Sequence, residues 1–305
     1  MARESSKAPT GVVIVDKPRG PTSHDVVAQA RRLYGTRRIG HAGTLDPDAT
    51  GVLVLMVGEA SKLSAHLSGQ DKEYTARVSF GVATDTLDAE GRVTEQVELP
   101  PGWLETEALD AAVDAERQRR AQRPPSFSAI KTGGVVAHRA ARRGESLELP
   151  DRDVHVHSLR AVEWSDTHVS LELRVSKGYY VRSLARDLGG RLGIPAHLKA
   201  LRRTSSGAFS LREACPWPPA GEPPEPLALA DAARRCLPSA QLTELGLARA
   251  RTGKLLNPDH FTTLPNLEHA ATTLPFAWLF GDELVALGWL HEGSYRVLRG
   301  FNANS

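Results

Sequence analysis

Cysteine and long apolar runs are scarce in this chain. Its two cysteines, Cys215 and Cys236, match no metal-ligand or redox spacing, which indicates a reduced compartment. The longest apolar run, GVLVLMVG, is far too short to span a bilayer, and the polar start MARESSKAPT lacks the apolar core of a signal peptide. We therefore expect a cytoplasmic protein that does not bind a membrane.

A large excess of charge of one sign is also missing, because the net charge is only +2. The whole-chain balance therefore says little about partners, whereas the distribution of arginine says more. Two clusters of four arginines occur: Arg31, Arg32, Arg37 and Arg38, and Arg117, Arg119, Arg120 and Arg123. A solvated helix face would explain either cluster alone. Together they favour a polyanionic partner such as a nucleic-acid backbone.

The composition, with 41% hydrophobic and 24% charged residues, is typical of a soluble globular protein, and the length of 305 residues suggests one large domain or a main domain with a small one. The β-branched run from Val12 to Val15 predicts a buried strand, and GVLVLMVG predicts another. The stretch KEYTARVSF alternates like a strand that leads into an acidic loop. Strands and helices mix without a strict βαβ rhythm, which favours an α+β domain with a mixed, largely antiparallel sheet.

Helical spacing and capping residues predict three helices in this domain. The first has Ser23 as its N-cap, the second covers residues 105–122, and the third begins at Val181. Residues 153–163 and 168–181 alternate as two strands with a short connection, which predicts an antiparallel pair.

The Pro-rich segment 215–226, CPWPPAGEPPEP, is the clearest change of composition along the chain. Such a segment predicts a stiff spacer or a surface excursion outside the core. Beyond it, FAWLFGDELVALGWLHEGSYRVLRGF predicts three short strands joined by Gly-containing turns, as in a small barrel or sandwich. We therefore expect a main domain over residues 1–235 and a small β-rich domain over residues 236–305.

The stretch RRIGHAGTLDPDATGVL places His41, Asp46 and Asp48 in a loop between two buried elements. Pro47 biases Asp46 toward an extended backbone, and glycines bracket the loop on both sides. A plain Asx turn would explain any Asp-Pro pair. The tight constraint and the arginines just upstream favour a functional carboxylate at Asp46, with Asp48 as scaffold.

Two further features bear on the chemistry of this loop. His41, Asp46 and Asp48 could supply three metal ligands, but no further ligand cluster obviously completes the site, so a metal-dependent hydrolase is the second interpretation. In RVSKGYYVRSLARDLG, Arg182 stands at the start of the third helix. Arginine is the preferred fixed cation for pairing a carboxylate, and a phosphate contact or a surface ion pair is the alternative.

Several stretches carry a resemblance to a known family: DKPRGPTSHDVV, RRIGHAGTLDPDATGVLVLMVGEASK, KEYTARVSFGVATDTLDAEG, RPPSFSAIK, and VSKGYYVRSLARDLG followed by AHLKALRRTSSGAF. In type and order they resemble the TruB family of tRNA pseudouridine synthases, which act on uridine 55 of the TΨC loop. The resemblance covers residues 11–212. The tail resembles the small RNA-binding domain of PUA type found in that family.

The resemblance implies roles for individual residues around the loop. Asp46 matches the catalytic aspartate, Arg182 matches the arginine paired with it, and His41 matches a histidine beside the space vacated by the flipped base. Tyr74 matches the tyrosine on which the target uracil stacks. The remaining positions that would line the uridine pocket are Tyr180 and Leu201.

Supporting positions follow from the same resemblance. Lys17 and Pro18 match the Lys-Pro pair of the family's first motif, which would support the catalytic loop. Asp85 matches an acidic segment near the site. The chain departs from the family at His138, where an aromatic residue is common.

The family's reaction requires no cofactor and no metal, because the uracil is detached and rejoined without oxidation or a leaving group. The resemblance thus implies a pseudouridine synthase fold that acts on the T arm of tRNA as a monomer, without an obligatory protein partner. A non-catalytic RNA-binding protein or an RNA chaperone on the same scaffold is the alternative that would tolerate loss of Asp46.

Overall fold

The computed structural model describes residues 9–128, 130–132, 135–137, 143, 147, 149–265 and 274–302, and His138 lies outside this set. The helices are α1 (Ser23–Leu33), α2 (Ser64–Ser68), α3 (Thr106–Arg117), α4 (Val181–Leu192), α5 (Leu229–Cys236) and α6 (Glu244–Arg251). Short 3₁₀ helices cover Gly58–Leu63 and Pro258–His260.

The strands of the first part of the chain are β1 (Gly11–Lys17), β2 (Ile39–His41), β3 (Thr50–Val57), β4 (Lys72–Phe80), β5 (Val82–Thr84), β6 (Val93–Gln96), β7 (Ala121–Gln122), β8 (Lys131–Thr132), β9 (Val135–Val136) and β10 (Arg152–Asp153). Those of the second part are β11 (Val156–Ser165), β12 (His168–Val175), β13 (Ala196–Ser206), β14 (Phe209–Ser210), β15 (Cys215–Pro216), β16 (Ser239–Leu242), β17 (Phe261–Thr263), β18 (Phe276–Phe280), β19 (Glu283–His291) and β20 (Ser294–Gly300).

A mixed sheet with the order β11-β12-β4-β13-β3-β1-β15 forms the centre of the molecule. Most neighbours are antiparallel, while β13 pairs with β3, and β1 with β15, in parallel. Strand β3 is covered on both faces, which explains its unbroken apolar sequence. The predicted α+β fold with a mixed, largely antiparallel sheet is confirmed.

The start of α1 differs from the prediction by one residue. Thr22, not Ser23, is the N-cap, because its hydroxyl accepts from the Asp25 N–H at 3.0 Å while the Asp25 carboxylate accepts from the Thr22 N–H at 2.9 Å. Ser23 is buried inside the first turn, and its hydroxyl donates to the Leu45 carbonyl at 3.0 Å and accepts from the Leu45 N–H at 2.8 Å. This serine therefore ties the helix to the Asp46 loop.

Two predicted elements extend too far at their C-terminal ends. Helix α3 ends at Arg117 rather than at residue 122, because residues 121–122 pair with β10 as strand β7. Strand β12 ends at Val175 rather than at residue 181, and its antiparallel pairing with β11 is confirmed. Pairing with β10, which local sequence pattern does not encode, thus shortens the helix, whereas the strand ends before the turn at Lys177 and Gly178, where Gly178 has φ of +84°.

The interpretation of the Pro-rich segment as a spacer outside the core is wrong for its first residues. Cys215 and Pro216 add a parallel strand to the edge of the central sheet beside β1. Trp217 is only 4% exposed, packs in the apolar cluster that α1 forms with β1 and β3, and donates its indole N–H to the Gln29 side-chain oxygen at 2.8 Å. The segment thus closes one side of the core.

We expect the Trp217→Ala variant to lose about 3–5 kcal/mol of unfolding free energy, because it opens a cavity in a packed cluster and leaves Gln29 without its partner. Urea unfolding measures this loss. The matched control is Glu222→Ala, which changes an exposed residue of the same segment and should shift the free energy by less than about 0.5 kcal/mol. Equal midpoints for Trp217→Ala and wild type would show that the segment is a spacer after all.

The C-terminal part is rich in strands, as predicted. Its described residues form a sheet with the order β17-β16-β18-β19-β20, and the three strands expected in the FAWLF to VLRGF stretch are present as β18, β19 and β20. Helix α5 packs between this sheet and the central sheet in one apolar cluster, which includes Ala233, Leu284 and Val54. Among the described helices, none is long and apolar enough to cross a membrane.

Candidate active site

The Asp46 loop connects β2 to β3 and is shaped by backbone conformations that favour glycine. Gly43 and Gly51 have φ of +113° and +103°. A Cβ on Gly51 would lie 2.1 Å from the Arg203 carbonyl oxygen, so only glycine lets β3 approach β13 here. The backbone of the loop therefore requires glycine near both of its ends, at Gly43 and at Gly51.

Lys17 supports the loop from beneath. Its side chain is fully buried, and its ammonium group donates to the carbonyls of Pro18, Pro21 and Pro47 at 2.9, 2.8 and 3.0 Å. Burial lowers the pKa of Lys17 to about 8, while the negative charge of Asp46 acts in the opposite direction. A buried positive charge thus contacts the backbone of Pro47, the residue that follows Asp46.

Arg203 holds the two ends of the loop together, and sequence reasoning missed it. Its guanidinium is buried at 1% exposure and donates to the carbonyls of Val52, Gly43 and Thr44 at 2.7, 3.0 and 3.4 Å. These acceptors precede and follow Asp46 in the chain. The LRRTSS sequence reads as a half-exposed strand, so only the register of β13 against β3 reveals this contact.

Asp46 and Arg182 form an ion pair across 136 residues of sequence. The Arg182 Nε lies 3.0 Å from Asp46 Oδ2, and a terminal nitrogen donates to Oδ1 at 3.4 Å. The Arg182 side chain is 10% exposed, whereas that of Asp46 is 42% exposed. The arginine is therefore fixed in the interior, and the carboxylate that it orients remains open to a ligand.

The other hydrogen bonds of Arg182 fix its orientation. It donates to the carbonyls of Thr86 and Phe127, each at 3.0 Å, and it lies 3.5 Å from an Asp88 carboxylate oxygen. A planar guanidinium that is held at several points cannot rotate away from its carboxylate. Segments around residues 86 and 127 are thus part of the same centre as Asp46.

Two acidic residues near the site have local partners instead. Asp48 forms a two-point ion pair with Arg19, at 2.9 and 2.8 Å, which lowers the pKa of Asp48. Asp85 accepts from the N–H and the Nε of Arg92 at 2.9 and 3.1 Å, so its carboxylate closes its own loop. The acid of this segment that reaches Arg182 is Asp88, which sequence reasoning did not single out.

His41 lies at the end of β2 before the loop. Its ring meets that of His24 edge to face, with centroids 5.5 Å apart, and its Nδ1 is buried without a partner in the described part of the chain. Burial, and after it the nearby His24 and Arg203, lowers the pKa of His41. The imidazole is therefore held neutral at neutral pH.

This lowered pKa predicts a pH dependence of stability. The unfolded chain gains a proton on His41 near pH 6.5 and the folded chain only below it, so the stabilisation is complete above about 6.5 and is lost as the pH falls through the folded pKa. We expect His41→Gln to reduce the drop in unfolding free energy between about pH 7.5 and about pH 5.5, by at most about 1.4 kcal/mol per pH unit. Urea titrations measure it, with the exposed His291→Gln as control. Identical drops in His41→Gln and wild type would contradict the prediction.

The aromatic and apolar candidates lie in the sheet behind the loop. Tyr74 on β4 is the register partner of Arg203 on β13, which pairs in turn with Gly51 on β3. Tyr74 and Leu201 are half-buried and pack against both apolar clusters that flank the central sheet. Tyr180 is the N-cap of α4, two residues before Arg182. Leu201 thus shares β13 with Arg203 and Tyr180 precedes the helix that carries Arg182, whereas Tyr74 lies on β4, the strand paired with β13.

A cleft of about 330 Å³ opens beside these residues on the face of β3, β13, β4 and β12. Leu201 and Thr50 line it together with Arg19, Arg77, Lys199 and Arg202. The two arginine clusters noted in the sequence are engaged locally at several positions: Arg38 pairs with Glu59, Arg117 with Asp114, and Arg119 with Glu116. Two arginines of the cleft are paired as well, Arg19 with Asp48 and Arg202 with Asp16. The cleft thus combines four basic side chains with the acidic Asp48 and Glu172.

The described residues contain no group of three or more His, Cys, Asp or Glu that could hold a metal ion. The candidate site is instead a carboxylate paired with a buried guanidinium, and the loop that carries the carboxylate also contributes Asp48 to the lining of the cleft.

Comparison with known proteins shows which family the chain resembles. Residues 31–181 match the family described as TruB family pseudouridylate synthase (N terminal domain). The tRNA pseudouridine synthase B of Mycobacterium bovis (strain BCG / Pasteur 1173P2) is 46% identical over 208 residues, 67% of this chain and 69% of that protein. The protein of the same name from Mycobacterium sp. (strain KMS) is 44% identical over 253 residues, 81% of this chain and 84% of that protein.

Among solved structures, the crystal structure of a Cbf5-Nop10-Gar1 complex contains a chain that superposes with a TM-score of 0.70 at 26% identity, over 92% of this chain and 78% of the other. The fold and these relatives define the class, which is that of RNA pseudouridine synthases, enzymes that isomerise uridine. Within that class, the chain belongs to the TruB family.

Proposed function

We propose that this enzyme converts uridine 55 in the T arm of tRNA to pseudouridine, with Asp46 as the catalytic carboxylate. The observation that carries the proposal is the open Asp46 carboxylate held by the buried Arg182, at 3.0 Å. The names of the mycobacterial relatives support tRNA as the substrate. The motifs shared with the family support uridine 55 as the position.

The reaction is an isomerisation, so the product has the same composition as the substrate. The bond from N1 of uracil to C1′ of the ribose breaks, the base turns, and a bond from C5 to C1′ forms. The proton on C5 is lost to solvent and N1 gains one. Asp46 would act as a carboxylate at C1′ or at the sugar proton next to it, and in either role the adjacent guanidinium would hold it in place.

The target base is stacked inside a folded loop, so it must be extruded first. Extrusion costs about a few kcal/mol. Stacking on Tyr74 would return about 1–3 kcal/mol of this, and Tyr180 and Leu201 would enclose the base. His41, which stays neutral beside the loop, would pack near the space that the base leaves. Lys17 and Pro18 would hold the loop, while the Asp85 segment would support Arg182 through Thr86 and Asp88.

The remaining parts of the proposal concern organisation. Residues 1–235 would form the catalytic domain, and residues 236–305 a PUA-like domain that binds RNA outside the T loop. The enzyme would act as a cytoplasmic monomer without an obligatory protein partner and without a cofactor. The basic side chains of the cleft would meet the phosphates of the T arm.

The test uses an unmodified tRNA transcript with tritium at C5 of its uridines. We expect the purified chain to release one equivalent of tritium per tRNA, because C5 exchanges its hydrogen for C1′. The matched transcript carries cytidine at position 55 and should release none. Equal release from both transcripts would contradict the choice of uridine 55, and strand cleavage in place of tritium release would indicate a hydrolase.

A further inference from the structure

We infer that Gln122 is a positioning residue for the catalytic pair, acting through the first turn of α4. Gln122 belongs to the short strand β7 and is 1% exposed. Sequence reasoning assigned this residue to the end of a helix and gave it no role. The inference rests on the proposed function of Asp46 and deepens it by naming what holds Arg182 in place.

The Gln122 side chain binds both the N–H and the carbonyl of one residue, Tyr180. Its amide nitrogen donates to the Tyr180 carbonyl at 3.1 Å, and its amide oxygen accepts from the Tyr180 N–H at 2.8 Å. A primary amide is the side-chain group that offers a donor and an acceptor in this parallel arrangement. Gln122 thus fixes the position and the direction of the peptide at Tyr180.

Tyr180 is the N-cap of α4, and no side-chain hydrogen bond of the usual capping kind is made there. The first turn of a helix has unsatisfied N–H groups and frays unless something binds it. Because Arg182 is the second residue of α4, any shift at Tyr180 moves the guanidinium that contacts Asp46. Gln122 therefore anchors the N-cap residue of the helix that carries Arg182.

Two more contacts join the same segment to the same turn. The Arg123 carbonyl accepts from the Ser183 hydroxyl at 2.8 Å and from an Arg186 nitrogen at 3.1 Å. The Phe127 carbonyl accepts from Arg182 itself at 3.0 Å. Residues 122–127, which we call the brace, thus follow α4 from its N-cap through its first turns.

The brace is itself anchored to α4 by a buried network just upstream. Glu116 is fully buried at the end of α3, and its Oε1 accepts from the Tyr179 hydroxyl at 2.8 Å. Arg119 pairs with that same Glu116 oxygen at 2.5 Å and with Asp187 of α4 at 3.1 Å. The residues just upstream of the brace and the brace itself thus both bind α4 or the residues just before it. These contacts keep Gln122 in place beside Tyr180.

The test compares kcat and KM for pseudouridine formation in Gln122→Met, which keeps the length of the side chain but removes both hydrogen bonds. We expect kcat to fall about 10–100-fold, since small displacements of catalytic groups have effects of this size, and KM for tRNA to change less than about 2-fold. In the Arg182→Lys background the same substitution should lower kcat less than about 2-fold, because the group that it positions is already gone.

Val113→Ala is the control for stability alone. Val113 is 2% exposed in α3 and packs in the apolar cluster that also contains Tyr179 and Leu184. Its side chain cannot form a hydrogen bond to the N-cap of α4. It should lower the urea midpoint while leaving kcat within about 2-fold of wild type. If Gln122→Met does not fold, Gln122→Asn replaces it in the same kinetic comparison. Its shorter side chain keeps the amide but does not reach both the N–H and the carbonyl of Tyr180.

A readout independent of activity separates this inference from the proposed function. In ¹⁵N-arginine-labelled protein, the Arg182 Nε–H, assigned by its absence in Arg182→Lys, should exchange with solvent faster in Gln122→Met than in wild type or Val113→Ala. Unchanged exchange and unchanged kcat would overturn the role of Gln122, as would an equal fall of kcat in both arginine backgrounds. If the wild-type enzyme makes no pseudouridine while Gln122→Met still shows the faster exchange, the proposed function alone is overturned.

Discussion

Replacing Asp46 with asparagine is expected to lower the single-turnover rate of pseudouridine formation by about 10⁴-fold or more, as removal of a central catalytic group does in other enzymes. Asparagine keeps the size of the side chain and an oxygen that can accept from Arg182. It lacks the negative charge that the reaction at C1′ requires. Affinity for tRNA, measured by filter binding, should change less than about 3-fold, because the carboxylate contributes little to backbone binding.

Asp48→Asn is the matched control, because it makes the same chemical change two residues further along the loop. Asp48 is paired with Arg19 rather than with Arg182, at 2.8 Å. The rate of this variant should remain within about 10-fold of wild type, since only a surface ion pair is weakened. Equal losses at the two positions would mean that the loop as a whole, and not the Asp46 carboxylate, determines activity.

Substituting Arg182 should impair chemistry far more than tRNA binding. In Arg182→Ala, Asp46 loses its partner and the Thr86 and Phe127 carbonyls lose a donor. We expect the single-turnover rate to fall about 10²–10³-fold, in line with the loss of an electrostatic contact at a reacting group. The unfolding free energy should fall by about 1–3 kcal/mol, because buried acceptors are left unpaired.

Arg182→Lys separates the two effects. Lysine keeps the positive charge but cannot make the planar two-point contact with Asp46 while also reaching both carbonyls. Its rate should lie between those of wild type and Arg182→Ala, and its affinity for tRNA should equal that of wild type. A parallel loss of tRNA affinity and rate in either variant would indicate that Arg182 is an RNA contact rather than the partner of Asp46.

Sequence reasoning predicted the parts of the fold whose signal is local. The apolar run of β3 and the strand pair β11–β12 carry their pattern in consecutive residues, and the structure has them. The pairing of Asp46 with Arg182 came from the family resemblance, because no local pattern links residues 136 positions apart. The register of β13 between β4 and β3 helps to bring these segments to one edge of the sheet.

What the sequence did not predict depends on single side chains that satisfy distant backbone groups. Arg203 and Gln122 are polar residues with no distinctive local pattern, and Gln122 falls at the end of a predicted helix; only their burial against loop and helix-cap carbonyls distinguishes them. The prolines around Trp217 suggested an exposed spacer, so the burial of this residue was not predicted. Asp85 and Asp88 look equivalent in TDTLDAEG, and the fold of their loop alone directs Asp88 to Arg182.

The most direct test of the account is to map pseudouridine at every uridine of an unmodified tRNA transcript after incubation with an equal amount of enzyme. With the wild-type chain, we expect complete conversion at position 55 and none at the other uridines. With Asp46→Asn, position 55 should remain uridine over the same time although the tRNA is bound. Conversion by Asp46→Asn at the wild-type rate, or wild-type conversion at another uridine in place of 55, would contradict the account.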